Sequence, residues 1–220
     1  GLPILSHILL TLKSLGAAKL VVVTGADQSD IAAVAHKLLA ATTVQDPPLG
    51  TGDAARSALP ALEGFAGDVM VLYGDNPLLT EGTLQTLLAA RASGAVLALM
   101  GFKPPDPSPY GRLILLANGD LDRIVEARDA TQDQKRIGFC NAGGFLLDAK
   151  LLRALLGELK NDNAQREFYL TDIVAGARQR NLRCVAVEVP AEDVLGINSR
   201  IELAQVEAIC REAASGEALE

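Results

Sequence analysis

The sequence predicts an α/β domain with a doubly wound sheet and a small antiparallel insertion. Three observations carry that expectation. Continuous apolar runs at 19–24, 69–73 and 95–102 have the length and composition of strands buried on both faces. Segments with apolar residues at helical spacing alternate with them. A stretch with four prolines, 103–111, precedes two strand-like runs around Asn118-Gly119, a strong hairpin signal.

Taken in order, residues 2–15 place Leu5, Ile8, Leu9 and Leu12 at helical spacing, and Gly16 is a C-cap candidate. Strand 19–24 follows, closed by Gly25. Residues 28–41 read as a helix, 42–45 as a short strand, and 52–62 as a helix with Pro60 near its end. Strand 69–73 ends at Gly74-Asp75, and helix 80–92 takes Thr80 as N-cap. After strand 95–102, the insertion holds runs 112–117 and 121–126 and a strand region at 137–147. Helices are expected at 149–159 and 169–179, with a last strand at 183–189. Helix 198–212 is announced by Ser199-x-x-Glu202, a capping-box pattern.

Composition bounds the function. The chain has 220 residues, 49% apolar and 21% charged, enough for a core without staples. No apolar run reaches the roughly 20 residues of a membrane helix, and residues 1–7 lack the regions of a signal peptide. A net charge of −7 without a Lys/Arg cluster disfavours nucleic-acid binding. Cys140, Cys184 and Cys210 form no C-x-x-C pair, which suggests buried thiols in a reducing compartment. His7 and His36 are far apart, so a His/Cys zinc site is not expected, and any metal would be hard and oxygen-bound.

Six segments could carry chemistry. In 45–54, Gly50 and Gly52 allow close backbone approach, Thr51 offers a hydroxyl, and the amides of a following helix could hold a base edge or anion. From this segment alone, a strand-to-helix turn that needs glycine only for geometry is the favoured reading. Asp75, in Tyr73-Gly74-Asp75, sits just after a buried strand, where Mg²⁺ takes one or two carboxylates; it could instead cap the next turn. Gly111, in Pro109-Tyr110-Gly111-Arg112, and Glu126 could meet sugar hydroxyls, or form a solvated hairpin end. Asn141 could serve a sugar amide or be satisfied by backbone. Tyr169 and Thr171 could line a pocket, or Thr171 and Asp172 could mark a helix start. Asn198 could give Mg²⁺ a carbonyl oxygen, or Asn198 or Ser199 could be an N-cap only.

Together and in this order, P-L-G-T-G-D-A, Y-G-D-x-P-L, Y-G-R, I-V-E-x-R-D-A, N-A-Q-x-E-x-Y-L-T-D and G-I-N-S-R resemble the uridyltransferase domain of bacterial bifunctional N-acetylglucosamine-1-phosphate uridyltransferase/glucosamine-1-phosphate acetyltransferases. The resemblance covers essentially the whole chain. It implies a Rossmann-like nucleotidyltransferase fold over 1–197, with 198–220 a helix leading toward a left-handed β-helix domain. It implies transfer of UMP from UTP to N-acetylglucosamine 1-phosphate, giving UDP-N-acetylglucosamine for cell-envelope polymers in the cytoplasm, with Mg²⁺ as cofactor. Gln45, Gly50, Thr51, Tyr73 and Gly74 would meet the nucleotide. Gly111, Glu126, Asn141, Tyr169 and Thr171 would meet the sugar, and Asp75 and Asn198 the Mg²⁺. The family opens with a strand and a glycine-rich loop, followed by a Pro-Lys pair, and its catalytic Arg and Lys lie there. Those features have no counterpart in residues 1–220, so a gap in the sheet and impaired turnover by these residues alone are expected. Sibling nucleotidyltransferases, or a sugar-nucleotide-binding module, are the alternatives. Neither nucleic acid nor membrane is an expected partner, and the full-length protein could be a homo-oligomer.

Overall fold

The computed structural model describes residues 1–217. Its strands are β1 (Val21–Gly25), β2 (Ala41–Gln45), β3 (Asp68–Val71), β4 (Leu97–Phe102), β5 (Arg112–Leu115), β6 (Leu121–Val125), β7 (Cys140–Asp148) and β8 (Cys184–Glu188). Its helices are α1 (Ile4–Ser14), α2 (Ser29–Lys37), α3 (Thr51–Ser57), α4 (Glu81–Ala92), α5 (Gln132–Lys135), α6 (Ala149–Glu158), α7 (Asp172–Gln179) and α8 (Arg200–Glu217).

Strand β4 shows why the apolar runs are continuous. All six of its residues are buried, because helices cover both faces of its sheet. The pleat sorts them: Leu97 and Leu99 join Phe145 and Leu147 of β7 in a cluster with α6 and α7. Ala98, Met100 and Phe102 join Leu146 in a second cluster with Leu84 and Leu87 of α4. A smaller cluster of Leu9, Leu20, Val22, Ala35 and Ala40 lies under β1 and β2.

The local signals mostly set the elements. Thr80 caps α4 by accepting from Thr83 N at 3.2 Å, Gly16 has φ +83° after α1, and Gly119 has φ +85° in the β5–β6 hairpin. Asp148, an N-cap absent from the sequence reading, takes the N–H groups of Lys150 and Leu151 and starts α6. Four expectations are corrected. The helix expected at 28–41 ends at Lys37, and Ala41 already pairs in β2. The helix expected at 52–62 divides into α3 and a 3₁₀ turn at Leu59–Leu62, with Pro60 in that turn's first positions. Helix α7 starts at Asp172 rather than at 169. Helix α5 was not foreseen, although Thr131 and Gln134 form a complete capping box. Cysteines 140 and 184 are buried thiols as expected, but Cys210 is exposed.

The larger correction concerns β7. It was expected within an antiparallel insertion, yet it runs through the main sheet. Its first residue pairs with β5, its length pairs antiparallel with β4, and its second half pairs antiparallel with β3. Strand β8 pairs parallel with β4. Strands β3, β4 and β8 therefore point the same way, and β7 begins at the end where they finish. Only β5 and β6 extend the sheet as a hairpin.

The expected gap is present. Strands β1 and β2 form a separate parallel pair, and no hydrogen-bonded ladder joins them to the main sheet among the described residues. An apolar slot of about 540 Å³, bordered by Val21–Val23 on one side and Val69–Val71 on the other, lies between β1 and β3. The helix expected at 198–212 is α8, and residues 218–220 of the expected C-terminal segment lie outside the described residues.

Phe145 is wholly buried between β3 and β4. Phe145→Ala should cost about 3–5 kcal/mol through lost burial and a cavity, seen as a lower urea midpoint at unchanged m-value.

Candidate active site

The predicted site residues collect at one rim of the sheet, where the parallel strands end and β7 begins. Most of them are linked by contacts, in one run from Gln45 to Tyr73 and a second joining Asp75 to Asn198. At one extreme, Gln45 at the end of β2 donates through Nε2 to the Gly50 carbonyl at 3.0 Å and to Asp53 Oδ2 at 2.8 Å. The 49–52 loop is stitched to 168–170. Phe168 N donates to Leu49 O at 2.8 Å, Gly52 N to Phe168 O at 2.7 Å, and Leu170 N to Thr51 Oγ1 at 3.0 Å. The Gly52 amide is therefore spent on the fold and is not open to an anion, as the helix-start reading had allowed. Gly50 has φ +111°, and a Cβ there would lie 2.7 Å from the Phe168 carbonyl oxygen, so both conformation and space require glycine.

The series continues through the sugar set. Thr171, buried just ahead of α7, makes no side-chain cap. Its hydroxyl donates instead to Glu126 Oε1 at 2.9 Å. Gly111 packs beside Glu126, where a Cβ would lie 3.3 Å from Oε2. Its carbonyl accepts from Asn141 N at 2.8 Å. Asn141 Oδ1 accepts from Gly143 N at 3.0 Å, and its amide nitrogen has no partner among the described residues. Gly143, at φ +75°, lies flat against the Tyr73 ring, which a Cβ would overlap. Tyr169 is half-buried beside these residues and, with Glu126, lines a polar cavity of about 730 Å³.

The last members are Asp75 and Asn198. Asp75 O accepts from Ile197 N at 3.0 Å. A Cβ on Gly196 would lie 3.3 Å from Asp75 Oδ2 and 3.5 Å from Asn198 Nδ2, so the two side chains converge across a bare glycine. Burial raises the Asp75 carboxyl first, its own backbone amide opposes this, and the charge of Glu202 raises it further. Ser199 Oγ accepts from Glu202 N at 3.2 Å and Glu202 Oε2 accepts from Asn198 N at 2.7 Å, so Ser199 supplies the cap and the exposed Asn198 side chain does not.

One carboxylate and one amide carbonyl suit a hard cation that keeps its other positions for phosphate and water. A divalent ion would also offset the unfavourable charge of a half-buried Asp75 near Glu202. The donor set therefore fits Mg²⁺.

Three residues outside the predicted set matter here. Arg112 is 1% exposed and lines the polar cavity with Arg128 and Lys135. Its guanidinium bonds Tyr110 O and, at 3.3 Å, Lys135 O, while Nε has no partner among the described residues. Asp53 orients Gln45, and Asn76 is buried beneath Asp75. Arg112 lay in the Y-G-R motif and Asp53 in the P-L-G-T-G-D-A motif, and only contacts show their tasks. Thr51, Tyr73 and Gly74 also line the apolar slot, so this part of the site shares a wall with it.

The Tyr73 phenol is pushed up to about 12, by burial first and then by Glu126 and Asp75. The folded state holds this proton more tightly than the unfolded chain, so the contribution is whole below pH 10 and is lost as pH rises from 10 through 12. Two units correspond to about 3 kcal/mol. Tyr73→Phe should flatten the fall in stability between pH 9 and 11.5, read by urea unfolding. Gly50→Ala should cost at least about 2 kcal/mol, read the same way, because positive φ and the Phe168 carbonyl both oppose a Cβ.

Comparison with known proteins identifies the family. Residues 1–169 match the model of the MobA-like NTP transferase domain. The bifunctional protein GlmU of Maricaulis maris is 45% identical over 208 residues, covering 94% of this chain and 46% of that protein. GlmU of Azorhizobium caulinodans is 46% identical over 95% of this chain and 47% of its own length. GlmU of Dinoroseobacter shibae is 44% identical over 100% and 49%. The chain thus spans about half the length of these curated relatives. With a mixed α/β sheet whose loops gather at one rim, the chain belongs to the MobA-like NTP transferase domain family.

Proposed function

We propose that this domain transfers UMP from UTP to N-acetylglucosamine 1-phosphate, with Mg²⁺, giving UDP-N-acetylglucosamine and pyrophosphate. The observation that carries the reading is the meeting at one rim of two runs of contacts, one from Gln45 through Thr171, Glu126 and Asn141 to Tyr73, the other joining Asp75 to Asn198. It joins a base-sized loop, a sugar-hydroxyl acceptor and a cation pair.

In this reading Gln45, its Nε2 committed to Gly50 and Asp53, turns Oε1 toward the imide N–H of uracil. The Gly50 backbone completes the base edge, and Thr51 borders it with Tyr73 and Gly74. Glu126, oriented by Thr171, accepts from sugar hydroxyls, since an ionised carboxylate only accepts. Gly111 lets the sugar reach the backbone, Asn141 donates to the N-acetyl oxygen, and Tyr169 covers the ring. Asp75 and Asn198 hold the cation, which would withdraw charge from the phosphates and align them. The sugar phosphate oxygen forms a bond to the α-phosphorus of UTP, and the bond from that phosphorus to the bridging β-phosphate oxygen breaks, releasing pyrophosphate. No protein nucleophile is needed, and positioning supplies the main rate effect. The product would serve peptidoglycan and other cell-wall polymers from the cytoplasm, with homo-oligomers open to the full-length protein. Among the described residues no helix is long and apolar enough to cross a membrane.

Calorimetry of the purified chain against UDP-N-acetylglucosamine, UDP-glucose, dTDP-glucose and ADP-glucose should show at least about tenfold preference for the first. Glu126→Ala should weaken that binding about tenfold or more, from the loss of charge-assisted hydrogen bonds worth about 1.5–3 kcal/mol. Preference for another base or sugar assigns a sibling nucleotidyltransferase and sinks this reading. Pyrophosphate release from the full-length protein separates a transferase from a binding module.

A further inference from the structure

Segment 189–198 carries the chain from β8 to α8 and brings Asn198 to the rim. It has little regular structure: a 3₁₀ turn at Glu192–Val194, an extended Leu195, and Gly196. Side chains and single backbone bonds hold it instead. Val189 N donates to Gly101 O at 2.9 Å at its start. Asp193 accepts from Thr80 Oγ1 at 3.0 Å and from Thr83 Oγ1, which ties the 3₁₀ turn to the start of α4. Val194 is buried in the cluster that includes Leu79 and Leu84. Asn76 Nδ2 donates to Val194 O at 2.8 Å.

Asn76 is the residue after Asp75, and it is 6% exposed. Two of the six buried polar side chains among the described residues, Asn76 and Thr83, are spent on this one segment. Their tasks differ. Thr83 and Thr80 bind the segment to α4. Asn76 binds it to the Asp75 loop itself, and the Ile197 N–H to Asp75 O bond does the same three residues later. The two bonds bracket Gly196. A single bond would let the segment pivot about its flexible glycine, whereas two set the direction in which it leaves the loop. Asn198 follows directly. A Cβ at Gly196 would lie within 3.7 Å of Asn76 Nδ2, Asn198 Nδ2 and Asp75 Oδ2, so the three side chains surround one point.

We propose that Asn76 is a positioning residue: its amide clamps the Val194 carbonyl and thereby sets Asn198 opposite Asp75, where the two would share a divalent cation. This rests on the cation assignment of the proposed function. An aliphatic residue at 76 would fill the space, but would leave the Val194 carbonyl buried without its donor and the segment held to the Asp75 loop on one side only. Outer residues that orient metal ligands influence affinity in this way.

The test compares wild type, Asn76→Leu and Leu152→Ala, a core variant remote from the segment, in two measurements. The first is Mn²⁺ affinity by electron paramagnetic resonance of the free ion, in the presence of UDP-N-acetylglucosamine. The second is hydrogen exchange of the Ile197 amide. Asn76→Leu should raise the Mn²⁺ dissociation constant about tenfold or more and speed Ile197 exchange. Leu152→Ala should lower the melting temperature while leaving both unchanged. If Asn76→Leu does not fold, Asn76→Ala, which cannot overpack the site and offers no donor to the Val194 carbonyl, takes its place with the same expectation. Equal Mn²⁺ affinity in wild type and variant overturns the proposal, as does an equal loss in Leu152→Ala. A wild type that takes up no Mn²⁺ removes the cation assignment of the proposed function. The clamp is then decided by Ile197 exchange, and unchanged exchange in the variant overturns it.

Discussion

Burial of β4 and β7 on both faces is the constraint on which the rest of the fold depends, because it sets which strand ends share a rim. Leu97 and Leu99 must face α6 and α7, while Ala98, Met100 and Phe102 face α4, so β4 cannot slip by one residue without reversing both clusters. Pairing with β7 then fixes β3, and β8 follows from β4. Since β7 runs against β3, β4 and β8, Gly143 near its start falls against Tyr73, just past the end of β3. The candidate site is the geometric consequence of β7 running antiparallel to the β3, β4 and β8 that flank it.

The loops at that rim are held mainly by each other. The 49–52 loop uses the backbone of 168–170, Glu126 uses Thr171, Gly111 uses Asn141, and the segment after β8 uses the Asp75 loop. Each bond satisfies a backbone or side-chain group that a partly buried loop could not leave unpaired. Glycines sit where these loops touch, at Gly50, Gly143 and Gly196, because a side chain there would separate partners that must meet. The same bonds that satisfy the loops therefore hold the binding groups in place without a ligand.

The slot between β1 and β3 divides the nucleotide side of this rim into two parts. Gln45 ends β2 and Gly50 lies in the loop after it, while Tyr73 and Gly74 follow the end of β3, and no ladder joins the two sheets among the described residues. The connection between them runs instead through Thr51 and Leu170, and through helix α1, whose Leu9 and Leu12 pack under β1 and toward the main sheet. The 49–52 loop is thus anchored to the 168–170 segment more directly than to the strand across the slot.

Much of this was legible in the residues. Buried strands announce themselves as continuous apolar runs, because two covered faces leave no polar alternation. Thr80, Gly16 and Asn118-Gly119 act within a few residues of themselves, so their effects could be read locally. Residues that the motifs singled out, Glu126, Asn141, Asp75 and the loops around them, lie at one rim. Other facts could not be read that way. The passage of β7 into the main sheet depends on which strand edge wins its hydrogen bonds, a choice among distant segments. The task of Thr171 was open between cap and contact until Glu126 was placed 2.9 Å from its hydroxyl. Asn76 and Arg112 looked like ordinary motif fillers, since burial of a polar side chain is a property of everything packed around it. The sequence by itself determined the strands, helices and residue types available for binding, through short-range periodicity and turn chemistry. Only the tertiary structure decided which of those residues are spent on holding loops and which are left for a ligand, because that division depends on contacts between segments as far apart as Asn76 and Val194.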